Sequence, residues 1–166
     1  MILGLSVAAF TQLHVIISLV GIATGLVALA AMIANRRLGG WTAVFLATTV
    51  ATSATGFLFH SKAIGPPHIV GAISLLVLLV AVVALYGRHL NGRWRPVYVV
   101  TAVFALYLNC FVGVVQAFQK LPPLNALAPK GNEPPFLIAQ AVLLAASLVL
   151  GWMAVRRYRP ASGAAS

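Results

Sequence analysis

Apolar residues fall in five stretches, each about one bilayer long, separated by short polar breaks. The first runs from Leu13 to Ala34 and ends at Asn35-Arg36-Arg37; the second runs from Trp41 to Phe59. The third follows Gly65-Pro66-Pro67 and covers 68–86, the fourth runs from Val97 to Phe118, and the fifth from Phe136 to Val155. Each holds about 18–22 residues, close to the ~20 that a spanning helix needs. A transmembrane barrel would instead alternate apolar and polar residues in units of about ten. The pattern predicts an all-α integral membrane bundle of five transmembrane helices, a single domain over 1–159 with a disordered tail at 160–166. The first ten residues extend helix one or lie at the interface. They lack the basic region of a secretory signal peptide and run into too long an apolar stretch, so they are expected to be retained.

Composition agrees. The chain is 61% hydrophobic and 7% charged, more apolar surface than one soluble core of this size can hide. A formal charge of +10 would suggest nucleic acid in a soluble chain. Here the cations stand in twos and threes at the ends of apolar segments, which argues against nucleic acid and for anionic lipid headgroups. Arg36 and Arg37 follow helix one, Arg88, Arg93 and Arg95 follow helix three, and Arg156, Arg157 and Arg159 follow helix five. With five spans these share one side, and the other side has only Lys62, Lys120, Lys130 and the single acid, Glu133. The positive-inside rule then places the N-terminus outside and the C-terminus in the cytoplasm. Trp41, Trp94, Trp152, Tyr86 and Tyr158 fall near the cytoplasmic boundary, where interfacial aromatics belong. The expected partner is the bilayer itself; a homo-oligomer or another membrane protein stays open.

Between lipid-solvated helices, contacts are marked by small and hydroxyl residues. Helix one has His14, Ser18, Gly21, Gly25 and Ala28 on one stripe; helix two has Thr49, Ser53, Gly56 and His60. Helix four offers Asn109, Gly113 and Gln116, and helix five Gln140, Ser147 and Gly151. Steps of three, four and seven keep each set on one face. The connection from Gln119 to Pro135 has too many prolines for a continuous helix and too many leucines for a solvated loop, so it is expected to lie on the bundle or the membrane surface. Cys110 is the only cysteine, which excludes an intrachain disulfide.

The same stripes carry the one feature with candidate chemistry. His14, His60, Gln116 and Gln140 lie within a turn or two of the outer ends of their helices, His68 opens helix three, and Gln119 and Glu133 flank them. Polar groups at membrane depth need a partner or a wet cavity. Four readings compete. The first is structural: interfacial histidines, glutamines paired between helices, and Glu133 as a helix cap ahead of Pro134-Pro135. The second is a redox site, either a quinone head group or a b-type haem between His14 and His60. The third is zinc or copper held by His14, His60 and His68 with Glu133, although no tight ligand spacing is present. The fourth is proton-linked transport or a channel, which with five helices requires an oligomer. No nucleophile–base arrangement and no phosphate-binding glycine loop occurs, which argues against hydrolase or kinase chemistry.

The stretches WTAVFLATTVATSATGFLF (41–59) and ALYLNCFVGVVQAFQKLPPLNALAP with NEPPFLIAQ (105–140) resemble a group of small multi-spanning bacterial inner-membrane proteins with no assigned function. In that group a proline usually stands where His60 stands here. The resemblance implies a bacterial cytoplasmic membrane and directs attention to Asn109, Gln116, Gln119, Lys120, Glu133 and Gln140.

Overall fold

The structure, a computed structural model, describes residues 1–2, 4–59 and 65–159. His60 and Lys62 therefore lie outside the described residues, as does the tail at 160–166. The fold is all-α: α1 (Val7–Ile33), α2 (Gly39–Gly56), α3 (Pro66–Val82, continued by a π-helical turn over Val83–Gly87), α4 (Trp94–Lys120), the short α5 (Pro122–Leu127) and α6 (Pro134–Arg157). Four helices are long and apolar enough to cross a membrane: Val7–Ile33, Pro66–Gly87, Trp94–Lys120 and Pro134–Arg157. The second apolar stretch is not among them. Its helix stops at Gly56, three residues short of the expected end, and within 18 residues it carries Thr42, Thr48, Thr49, Thr52, Ser53 and Thr55 besides three glycines.

The other boundaries move outward. α1 begins at Val7 rather than Leu13, because the Ser6 hydroxyl accepts the Ala9 N–H (3.1 Å) and so caps the helix. α4 and α6 gain their first turns at Trp94 and Pro134. Proline early in a helix costs little there, since its missing N–H would have no partner in the first turn. The 119–135 connection contains the six-residue α5, opened by Pro122-Pro123 and tied back by Asn125, whose Nδ2 donates to the Phe118 carbonyl (3.2 Å).

Sequential long helices pack side by side, and α4 touches every other helix of the bundle. The tightly packed core lies at one end, where Leu29, Met32, Phe45, Leu78, Leu85, Tyr98, Val99 and Ala154 close together. All three arginine groups gather at that end. Arg95 donates to the Tyr158 carbonyl and to that of Val155 (3.4 Å), the Arg159 N–H donates to Asn35 Oδ1 (2.7 Å), and Arg88 and Arg156 stack over Trp94 and Trp152. The turn into α4 holds His89 and Leu90 at φ +51 and +60, a conformation unfavourable for a bulky residue. Burial of the Leu90 side chain in the core holds it there.

Candidate functional site

The α1 stripe meets α2 in antiparallel register. His14 pairs with Thr55, Gly21 faces Thr48 and Thr49, and Gly25 faces Phe45. A Cβ on Gly25 would come within 2.8 Å of the Phe45 ring and 2.7 Å of Leu106 Cδ1. The glycine therefore sets how closely three helices approach. At Gly21 a Cβ would meet Asn109 Nδ2 at 3.0 Å and the hydroxyls of Thr48 and Thr49 at 3.2 Å. Asn109 is buried at 7% exposure; its Oδ1 accepts the Ser18 hydroxyl (2.9 Å) and its Nδ2 reaches toward the Ser18 carbonyl (3.5 Å). The seam is thus polar from His14 down to Asn109 and turns apolar at Gly25, Phe45 and Leu106.

Hydrogen-bond accounting orients the His14 ring. Thr55 Oγ1 lies 2.7 Å from the Ala51 carbonyl, which can only accept, so the hydroxyl hydrogen points there. The 2.8 Å contact between His14 Nδ1 and Thr55 Oγ1 then requires Nδ1 to donate. Nε2 has no hydrogen-bond partner among the described residues. The ring stands edge-on to Phe59 at 5.2 Å, and Phe59 in turn meets Phe10.

None of the other expected site residues that the structure describes is hydrogen-bonded to His14. His68 sits on the first turn of α3, where its Nδ1 accepts the Gly65 N–H (3.3 Å) and its ring meets Phe57. Glu133 occupies the position before α6 as expected of a cap, but its carboxylate folds back onto the loop, accepting the N–H groups of Lys130 (3.0 Å) and Asn132 (3.1 Å). Desolvation pushes that carboxyl up, but the backbone N–H groups of Lys130, Glu133 itself, Asn132 and Gly131 outweigh it and hold its pKa below the ordinary value. Gln140 Nε2 donates to the Phe111 carbonyl (3.2 Å), joining α6 to α4, while its Oε1 is buried with no donor among the described residues. Gln116 and Gln119 are exposed. For Gln116 this corrects the inward placement. The seven-residue step does keep it on the face of Asn109, but at this height the side chain is exposed. Among the described residues no three His, Cys, Asp or Glu side chains come together to hold a metal, and His60 lies outside them.

Other small residues sit at contacts. Ser53 donates to Ser74 (3.0 Å), Gly56 faces the His14 ring, Gly113 faces Ile22, and Gly151 faces Val103. Sequence reasoning missed Thr52 and Thr55 on α2 and Ser74 on α3. The signal for the first two was present: Thr48, Thr52 and Thr55, at steps of four and three, form a second hydroxyl stripe beside Thr49 and Ser53.

Comparison with known proteins finds no family model, no curated protein and no solved structure that matches the chain.

Proposed function

We propose that this chain is a multi-pass protein of a bacterial inner membrane and binds a small polar molecule or a proton at His14, in the half of the bundle remote from the arginines. In this reading α2 is a fifth span, the N-terminus is outside and the C-terminus is cytoplasmic. α2 supports it by spending the hydroxyls of Thr48, Thr49 and Thr55 on its own carbonyls, which lowers the cost of holding them in lipid. The gathering of eight arginines at one end supports the orientation, with anionic headgroups as their partners. The resemblance of 41–59 and 105–140 to small bacterial inner-membrane proteins supports the compartment.

One observation carries the site: the Thr55 contact holds the His14 imidazole through Nδ1, with Nε2 free of any hydrogen-bond partner among the described residues. An imidazole held this way takes a proton or a hydrogen bond from a hydroxyl or phenol group. Phe10 and Phe59 supply an apolar wall beside it. The test is purification in mild detergent, with mass spectrometry of co-purifying small molecules and ¹⁵N NMR of the histidines. The wild type is expected to retain a small molecule that His14→Ala loses, or to show a His14 Nε2 signal that responds to pH. Empty preparations together with a silent Nε2 would sink the reading. The redox forms are decided in the same sample: a Soret band identifies haem, with His60 as the second ligand, and an extracted quinone identifies the head-group site.

A further inference from the structure

We propose that Thr52, Ser18 and Asn109 hold one water molecule between α1, α2 and α4, near the middle of the bundle. The starting observation is an anomaly among the threonines. Thr11, Thr24, Thr48, Thr49, Thr55 and Thr101 each donate to the carbonyl four residues back, at 2.7–2.8 Å. Thr52 does not: its hydroxyl oxygen is buried and has no partner among the described residues. A buried hydroxyl without a partner is costly, so a group standing in this position calls for an explanation.

Register says what the hydroxyl faces. Thr55 meets His14, Thr48 and Thr49 meet Gly21, and Phe45 meets Gly25. Thr52 is four residues after Thr48 and three before Thr55, at the centre of the α2 face that these residues define. The same pairing brings Ser18 opposite Thr52. Ser18 gives its hydrogen to Asn109 Oδ1 and so keeps an acceptor lone pair; Asn109 keeps a second N–H. A water that accepts from Thr52 and Asn109 and donates to Ser18 makes three hydrogen bonds, the usual number for a buried water. Below it, Phe45 and Leu106 close on Gly25, so this water has no polar continuation toward the arginine end. The site goes beyond the His14 reading and does not depend on it.

Valine has threonine's shape without the hydroxyl, so Thr52→Val tests the site while leaving the packing intact. If the hydroxyl holds a water, Thr52→Val lowers the thermal midpoint by about 2–4 °C and Thr52→Ser restores it. If the hydroxyl is a dry orphan, Thr52→Val raises the midpoint; if it rotates onto the Thr48 carbonyl, the midpoint stays put. Either result overturns the proposal. Solid-state NMR of the wild type in bilayers is the second measurement. A short-mixing-time cross-peak between water and Thr52 is expected. A lowered midpoint without that cross-peak also overturns the proposal, because a direct contact with Ser18 would produce it.

Discussion

Gly25 is the position where a single methyl group meets the most resistance. Its neighbours are an aromatic ring on α2 and a leucine on α4, both in the tight core, and neither has room to retreat. Gly25→Ala is expected to cost about 1–3 kcal/mol through overpacking, seen as a lower thermal midpoint in detergent, whereas alanine at Gly39 or Gly40, with open space around them, meets no such clash. An unchanged midpoint would mean that α1 and α4 can separate at no cost. His14, on the same α1 stripe, and Asn109, which faces that stripe from α4, bear a different kind of constraint. They are held by hydrogen bonds whose partners cannot be read from spacing, and Gln116 shows how this fails: it repeats the step of Asn109 and still stands exposed.

Elements begin and end where backbone groups find partners. Ser6 starts α1, Leu121 stops α4 ahead of Pro122-Pro123, and Pro134-Pro135 open α6. The turn before α6 depends on the one carboxylate of the chain. Because the folded pKa of Glu133 lies below its ordinary value, the charged form favours the folded turn. Its contribution is complete above the ordinary carboxylate pKa and is lost as pH falls through the lowered folded value. Hydrogen exchange at the Lys130 and Asn132 amides, corrected for intrinsic rates, is expected to be slow at neutral pH, faster in strong acid, and faster in Glu133→Gln at every pH. Equal protection in the variant at neutral pH would show that the turn stands without the carboxylate. α5 illustrates what spacing hides, since two adjacent prolines read as a helix breaker also serve as a helix start.

At the scale of the molecule, the number of spans depends on α2. Four helices qualify for the bilayer by length and apolarity, and α2 is shorter and richer in hydroxyls. An odd number of crossings puts the termini on opposite sides; an even number puts them together. Reporter fusions are therefore expected to place the C-terminus in the cytoplasm and the N-terminus outside. Both ends in one compartment would remove α2 from the set of spans. The clasp at the arginine end is also a whole-molecule feature: Asn35 just beyond α1, Arg95 and Tyr98 on α4, and Tyr158 and Arg159 just beyond α6 tie together segments 63 residues apart (Arg95 and Tyr158) and 124 residues apart (Asn35 and Arg159).

The sequence by itself determined the helical class and the positions of the long helices. Runs of apolar residues answer to lipid one segment at a time, and backbone hydrogen bonds in a helix are local. Stripes of glycine and serine were legible for the same reason, because a helix of fixed pitch decides which residues share a face. Only the tertiary structure decided which faces met. It drew His14 to Thr55 and Asn109 to Ser18, gave Glu133 and Gln140 local or pairwise partners, and left Gln116 exposed. Those outcomes depend on which neighbouring helix covers a face at a given height, and that is set by close packing between distant segments, which no local pattern records.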